Sequence, residues 1–261
     1  MKKTNIRIGV LILIIFIIGL GVKFQEFKSE KLEHKKLVSH VVFYPQHQDD
    51  EVLWGGSAIL KAINTCGADN VYIVLVSDGS GVNAFDQMPE FKGINRREKC
   101  CLRNNEFKCA LKSLGVKSSN IIILADKTKE EKPHFDLMEN TILDFENKFG
   151  SVTHIAQHYK YDNHPMHRKN GEVLKKLSDE GKVNDARYFL KPSYVKYIPQ
   201  SQRDVYLSDT IEDKAKIKCA LNSYRIRNEK EQLYGIGYIS AHTYFDHLYN
   251  DPQYKSVLSI Y

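Results

Sequence analysis

Residues 41–60 read VVFYPQHQDDEVLWGGSAIL, and this stretch carries a structural signal and a chemical one. Residues 41–45 form a β-branched and aromatic run that predicts a buried strand, and residues 52–60 predict an amphipathic segment that opens a helix. The polar residues 47–51 are therefore expected on a strand-to-helix turn, at the carboxyl end of a strand. In open α/β sheets this edge is where ligands bind.

The spacing within this turn suits a metal ion. His47 and Asp50 stand three residues apart and can aim an imidazole nitrogen and a carboxylate oxygen at one Zn²⁺. Asp49 then remains free to handle a proton beside the metal. A purely structural explanation also exists, because acidic residues are favourable in the first turn of any helix. The turn alone leaves both interpretations open.

A second polar cluster follows another strand-like run at residues 151–156. Four of the ten histidines lie between positions 154 and 167, namely His154, His158, His164 and His167. A hydrolytic zinc site needs three protein ligands and one position open to water. The first turn supplies two ligands, so a histidine of this second loop is the natural third. Solvated loop histidines are the alternative.

Strand-like and helical patterns alternate through this part of the chain. Strands are predicted at 37–44, 71–76, 120–124 and 151–157, and the helices between them at 52–63, 95–114 and 135–149. A helix through 177, extended segments at 188–198 and 204–207, and a helix at 210–224 follow. The alternation predicts an α/β, Rossmann-like fold, with a mainly parallel sheet and helices on both faces.

Three motifs together resemble the PIG-L family of zinc-dependent de-N-acetylases. The first is HQDDE at 47–51, where the family usually has His-Pro-Asp-Asp-Glu, so that Gln48 replaces proline. The second is HPMH at 164–167, where the family has His-Pro-Asp-His, so that Met166 replaces aspartate. The third is RNNE at 103–106, which continues through Ala110. The similarity runs from about residue 38 to at least residue 221.

The resemblance implies a hydrolase that removes acetyl from an N-acetylglucosamine-type substrate with the help of one metal ion per chain, zinc or another divalent metal such as iron or cobalt. Family members act on glycolipids, thiol precursors and oligosaccharides. Carried over to this sequence, the zinc ligands are His47, Asp50 and His167. The general base is Asp49, His164 stabilises the oxyanion or protonates the departing amine, and Arg103 contacts substrate or organises the floor of the site.

Other residues of these motifs are expected to play supporting parts. Glu51 and Glu106 are interpreted as supporting residues, although a helix-surface salt bridge would explain Arg103 and Glu106 almost as well. Methionine at 166 cannot favour a protonated His164 as a carboxylate would. Asp162 is the candidate substitute for that carboxylate.

The N-terminus resembles a targeting segment. Three cations precede residues 8–22, an apolar run without charge that has the length of a signal-peptide core and is short for a full membrane span. We expect a signal peptide or membrane anchor at 1–22, a charged linker at 23–36 and one deacetylase domain at 37–261. This arrangement predicts an extracytoplasmic protein that is membrane-anchored or secreted.

Composition narrows the remaining functions. The net charge of +6 includes the N-terminal cations, so the domain itself is only mildly basic. The sequence lacks the interleaved basic and aromatic residues that are typical of nucleic-acid binding, and we expect none. The five cysteines contain no Cys-x-x-Cys pair, so buried free thiols are expected, with one or two disulfides possible outside the cell. The glycine loop at 78–81 is interpreted as a plain turn near the rim of the site rather than as a phosphate cradle.

The expected partner is an acetylated amino sugar, in a glycan or glycoconjugate. Four tyrosines near the C-terminus are candidates for contact with sugar rings, although ordinary packing explains any one of them: Tyr234, Tyr238, Tyr244 and Tyr249. Two other functions fit the same scaffold. One is a zinc hydrolase of another amide or ester, and the other is a non-catalytic glycan-binding protein.

Overall fold

A computed structural model describes residues 36–128 and 134–260. The predicted segment at 1–22 and all but the last residue of the linker at 23–36 lie outside this part of the chain. Among the described residues, no helix combines the length and the apolar character needed to cross a membrane.

Seven strands of the described residues form one sheet in the order β3-β2-β1-β4-β5-β7-β6. The strands are β1 (His40–Phe43), β2 (Val71–Leu75), β3 (Ile121–Ile123), β4 (Val152–Gln157), β5 (Asp185–Phe189), β6 (Arg203–Tyr206) and β7 (Ser256–Ile260). The first five pair in parallel, whereas β7 pairs antiparallel with both β5 and β6. The prediction of a mainly parallel α/β sheet is confirmed.

Six α-helices accompany the sheet in the described residues. They are α1 (Asp50–Cys66), α2 (Arg96–Leu114), α3 (Phe135–Phe149), α4 (Pro165–Asp179), α5 (Ile211–Arg225) and α6 (Ile236–Tyr249). Local sequence fixes several of their ends. Asn95 and Glu98 form a capping box at the start of α2, and Gly115 ends that helix in a left-handed conformation.

The alternation of side chains along the strands creates two cores, one on each face of the sheet. Val41 and Phe43 of β1 belong to one core together with residues of α1, α2, α5 and α6. Val42 and Tyr44 point to the opposite face and pack with residues of α3 and α4. Helices therefore cover both faces, as the pattern of strands and helices predicts.

Three features of the C-terminal part depart from the sequence prediction. Residues 188–198 are not extended throughout, because β5 ends at Phe189 and a 3₁₀ helix occupies Pro192–Tyr197. Proline at the first position of that helix supplies a suitable φ and needs no amide partner. Helix α6 and strand β7 are also present, and the sequence did not predict them.

The five cysteines all lie in the described residues, and all are free thiols. None is fully buried, since Cys101 and Cys219 are exposed and the other three are half-buried. The expectation of free thiols agrees with this, but the expectation that they are buried is wrong.

Candidate active site

The topology brings the two polar clusters of the sequence together. Strands β1 and β4 are parallel neighbours, with Phe43 opposite Ile155, so the loops that follow them leave the same edge of the sheet side by side. The strand order also reverses here, because β2 and β3 continue outward from β1 while β5 continues from β4. Such a switch point opens a crevice where α/β proteins bind ligands.

Three side chains converge in this crevice to form a triangle of potential ligand atoms. Nδ1 of His47 lies 3.1 Å from Nε2 of His167. Oδ2 of Asp50 lies 3.5 Å from His47 Nδ1 and 3.3 Å from His167 Nε2. His164 adds a fourth potential ligand atom, since ring nitrogens of His47, His164 and His167 all lie within 4.8 Å of one another. The three predicted ligands and His164 are thus adjacent.

Two further contacts fix the orientation of these groups. Oδ1 of Asp50 accepts a hydrogen bond of 2.9 Å from the Trp54 indole, one turn along α1. Nδ1 of His167 lies 3.0 Å from Oδ2 of Asp162, which leaves Nε2 to face Asp50. A carboxylate on the far nitrogen is the usual way to orient a metal-binding histidine.

Asp162 lies at the centre of the second loop. Its Oδ1 accepts hydrogen bonds from the backbone amide of His164 at 2.7 Å and from Lys191 Nζ at 2.8 Å. Its other oxygen pairs with the ring of His167 rather than with that of His164. Asp162 therefore does not replace the missing carboxylate beside His164, and instead supports His167.

The charges of this cluster favour a bound cation. Burial lowers the pKa of His167, but the carboxylates of Asp50 and Asp162 outweigh burial and raise that pKa to about 9. His47 has its pKa lowered, chiefly by burial. The carboxylates thus stabilise positive charge at the position where the imidazole and carboxylate atoms meet.

Asp49 lies beside this cluster with its carboxylate on the wall of the cleft. Arg103 Nη2 donates to Asp49 Oδ2 at 3.1 Å, and Ser240 Oγ lies 3.5 Å from the same oxygen. Burial raises the pKa of Asp49 to about 7, and the Arg103 guanidinium limits that rise. A divalent cation nearby would lower this pKa again.

Arg103 belongs to the floor of the site. It is buried, and besides Asp49 it donates to the carbonyl oxygens of Gln48 at 2.6 Å and Gly79 at 3.2 Å. Glu106 is also buried and accepts from backbone amides at the start of α6. Since neither side chain lies on a helix surface, the alternative of a surface salt bridge does not apply.

The ring of His164 stands at the exposed side of the cluster. Its Nδ1 accepts a hydrogen bond of 3.3 Å from the Met166 amide at the start of α4. Burial, together with the neighbouring His167 and His47, lowers the pKa of His164 to about 4. A neutral ring that accepts at Nδ1 carries its hydrogen on Nε2.

The surrounding cleft has a volume of about 580 Å³ and two kinds of wall. One wall is the loop at 77–82, where Asp78 pairs with Arg96. The other is aromatic, with the Trp54 and Tyr244 rings 5.0 Å apart, edge to face. Lys191 Nζ lies 5.3 Å and 5.6 Å from the centres of those two rings.

The glycine loop is a turn at the rim of the site. Gly79 has φ of +66° and packs against Gln48, since a Cβ there would lie 2.1 Å from Gln48 Oε1. Gln48 in turn donates to the carbonyl oxygen of Asp78 at 2.9 Å and to Asn104 at 2.8 Å. Gln48 thus ties the first motif to the loop and to α2.

The family of the chain follows from comparison with known families. The family model described as PIG-L, GlcNAc-PI de-N-acetylase, matches residues 41–178, just over half of the chain. The chain belongs to the PIG-L family. This membership makes it an N-deacetylase, a hydrolase.

Solved structures share the fold of this PIG-L chain at low sequence identity. The N,N'-diacetylchitobiose deacetylase from Pyrococcus horikoshii matches with a TM-score of 0.56 and 16% identity, over 85% of this chain and 84% of that one. The A40926 pseudoaglycone deacetylase matches with a TM-score of 0.55 and 14% identity, over 85% and 96%. The 4-carboxy-2-hydroxymuconate hydratase from Pseudomonas putida matches with a TM-score of 0.51 and 12% identity, over 85% and 95%.

At such identities the likeness shows the fold alone. A comparison with curated protein sequences finds no significant match.

Several residues that line the cleft of this PIG-L chain are not apparent from the sequence motifs. Trp54 had a usable signal, because it lies four residues after Asp50 on the same face of α1. Lys191 and Ser240 carry no such signal, since each reaches the cleft from a C-terminal segment outside the motifs. Of the four tail tyrosines, Tyr244 lines the cleft. His154 and His158 are buried elsewhere.

Proposed function

We propose that this PIG-L protein uses zinc to hydrolyse the N-acetyl group of an N-acetylglucosamine-type substrate, with Asp49 as general base. The observation that carries the proposal is the triangle of His47, Asp50 and His167 beside the carboxylate of Asp49, all on one cleft. Family membership supports the reaction class.

The geometry of the triangle fits zinc. Zinc binds imidazole nitrogen and carboxylate oxygen at about 2.0–2.2 Å, so ligand atoms of a tetrahedral site stand roughly 3.4 Å apart. The three separations here are 3.1, 3.3 and 3.5 Å. Two imidazoles and one carboxylate form a ligand set that leaves a position open for water, as hydrolytic zinc sites require. Bound zinc would lower the pKa of its water towards neutrality and polarise the acetyl carbonyl.

Residues of the chain supply the proton transfers. Asp49 takes the proton of the attacking water, and Arg103 holds the carboxylate by the hydrogen bond to Oδ2. The protonated Asp49 then lies beside the departing amine and can return the proton to it. His164, neutral and with its hydrogen on Nε2, donates to the oxyanion that develops on the acetyl carbonyl. The lowered pKa of His164 favours this role over that of a cationic acid.

The walls of the cleft suit a sugar ring. Trp54 and Tyr244 present aromatic surface, while Asp78, Ser80 and Ser240 line the same cleft with groups that can bond hydroxyls. Carbohydrates offer both an apolar ring face and a rim of hydroxyls. The arrangement therefore supports an amino-sugar glycan or glycoconjugate as substrate.

We further propose that residues 37–261 form the catalytic domain and that residues 1–22 direct it out of the cytoplasm, as a signal peptide or an anchor. The support is the cationic start and the apolar run at 8–22. Processing of the N-terminus in the cell, read by mass spectrometry, tests this.

Acetate release tests the function. The purified protein is incubated with N-acetylglucosamine and chitooligosaccharides, with zinc added or with a chelator. We expect acetate and a free amine in equal amounts, and loss of both with the chelator. Turnover of simple amides or esters, but not of acetylated sugars, would instead favour another hydrolase on this fold. Sugar binding without turnover at full zinc content would favour the glycan-binding alternative.

A further inference from the structure

The backbone of Asp49 adopts an unusual conformation at the site. Its φ is 97° and its ψ is −33°, in a region that residues with a Cβ rarely occupy. Two other described non-glycine residues have positive φ, Gln232 and Tyr254, and neither lines the cleft. Such strained positions persist only where surrounding contacts hold them.

Two buried side chains hold the peptide group of Asp49. Its N–H points at both Glu51 Oε2, at 3.1 Å, and Tyr224 Oη, at 3.0 Å. The Tyr224 hydroxyl in turn donates to Glu51 Oε1 at 2.6 Å. The three bonds close a small ring that contains no solvent-exposed atom of either side chain, since Glu51 and Tyr224 are both 0% exposed.

We propose that Tyr224, acting through this ring with Glu51, is a positioning residue that fixes the peptide of Asp49 and thereby aims its carboxylate. Tyr224 does not line the cleft, and its hydroxyl reaches the site through the Asp49 amide and Glu51. The inference rests on the proposed role of Asp49 as base. It adds to the site a residue of α5, outside the part of the chain that matches the family model.

The packing of Tyr224 makes it a rigid support. Its ring contacts α6 so closely that a Cβ at Gly237 would lie 2.5 Å from Tyr224 Cδ1, and the Phe245 ring is 5.6 Å away. Asp49 is therefore held at both ends. Tyr224 and Glu51 hold its amide, while Arg103 holds its carboxylate.

Removal of one hydroxyl tests the proposal. In Tyr224→Phe the Asp49 amide loses one hydrogen-bond acceptor and Glu51 loses a donor, while the aromatic side chain at position 224 keeps its packing. We expect kcat to fall roughly 10- to 100-fold, because small misplacements of a catalytic group have such effects. KM and zinc content should stay within twofold. The matched control is Tyr238→Phe, which removes a hydroxyl bonded to Asp246 at 2.9 Å and should leave all three values unchanged.

Amide hydrogen exchange gives a readout that needs no substrate. We expect the Asp49 amide to exchange at least tenfold faster in Tyr224→Phe, with β1 amides as the internal reference and Tyr238→Phe unchanged. Unchanged exchange at Asp49 would overturn the proposal, as would faster exchange with wild-type kcat. Glu51→Gln provides a second variant with the same expectation. If the wild-type protein released no acetate, the proposed function would be wrong. The exchange rate of the Asp49 amide would still show whether the hydrogen bonds with Tyr224 and Glu51 hold that peptide.

Discussion

At the level of single residues, Asp49 combines a chemical and a conformational requirement. The sequence predicts the chemistry, because a free carboxylate beside a His-x-x-Asp pair is suited to proton transfer. It gives no sign that the backbone there has φ of 97°. That value depends on Tyr224, which is 175 positions away in the chain, and no local propensity reports so distant a contact.

The strain at Asp49 has a measurable effect on stability. We expect Asp49→Gly to be more stable than Asp49→Ala by about 1 kcal/mol, because a Cβ in the left-handed region costs about 1–2 kcal/mol and glycine's larger loss of entropy offsets part of it. Both variants lose the carboxylate, so their difference isolates the backbone. Urea unfolding measures it. Lys108, exposed in the middle of α2, is the control position. There the glycine variant should be less stable than the alanine variant. Equal stability of the two Asp49 variants would mean that the conformation carries no strain.

At the level of elements, helix α6 forms one side of the cleft and depends on a residue of α2. Glu106 is buried and accepts hydrogen bonds from the amides of Tyr234 at 3.2 Å, Ile236 at 2.8 Å and Gly237 at 2.9 Å. These are amides at and just before the start of α6, which have no partner within a helix. Glu106 thus fixes the helix that carries Ser240 and Tyr244 to the cleft.

Loss of this carboxylate should loosen the wall. Glu106→Ala removes the acceptor of three backbone amides, two of them buried and that of Tyr234 half-buried, and we expect a destabilisation of about 3 kcal/mol. KM should rise more than kcat falls, since the wall binds substrate and Asp49 is held separately. Thermal unfolding and steady-state kinetics measure the two effects. Lys108→Ala, an exposed neighbour on the same helix, should change stability by less than about 0.5 kcal/mol. A similar loss in both variants would refute the role of Glu106.

The sequence predicts individual elements well where the pattern is local. Helix α3 occupies Phe135–Phe149, the range predicted, because its apolar residues recur with helical spacing and Gly150 stops it. Helix α6 was not predicted, because it follows Gly235 and is interrupted at Ala241, where φ is −140°. Tertiary contacts, chiefly those of Glu106, hold it. The cleft wall that α6 provides was not predicted for the same reason.

At the level of the whole molecule, the sheet assembles the site from segments far apart in sequence. His47 and His167 are 120 positions apart, yet their meeting could be predicted, because parallel strands end at a common edge. The positions of Lys191, Tyr224 and Tyr244 could not, since they depend on the C-terminal helices and on the antiparallel strands β6 and β7. The part of the cleft wall formed by Lys191 and Tyr244 therefore comes from these later segments.

A buried histidine makes the stability of the fold depend on pH. Nδ1 of His158 accepts from the amides of Lys160 and Tyr161, each at 3.0 Å, and burial lowers its pKa to about 4. The unfolded chain has an ordinary value near 6.5, so it binds more protons between pH 6.5 and 4. The stability that neutral His158 contributes is therefore fully present above about pH 6.5 and is lost as the pH falls towards 4.

We expect this histidine to contribute about 2 kcal/mol to the loss of stability between pH 7.5 and pH 5. Thermal unfolding at the two pH values, for wild type and for His158→Gln, measures the contribution. The variant should lose less on acidification. His242→Gln, at an exposed position, should behave as wild type. An identical pH dependence in all three proteins would show that His158 is not held neutral.

In the proposed mechanism, metal binding and base catalysis reside on different residues of one cluster. The most direct measurement is acetate release, with zinc content determined on the same samples, for wild type, Asp49→Asn and His167→Ala. We predict that Asp49→Asn keeps its zinc and loses turnover by at least about 100-fold, whereas His167→Ala loses both. Wild-type turnover in Asp49→Asn, or full zinc retention in His167→Ala, would contradict the account.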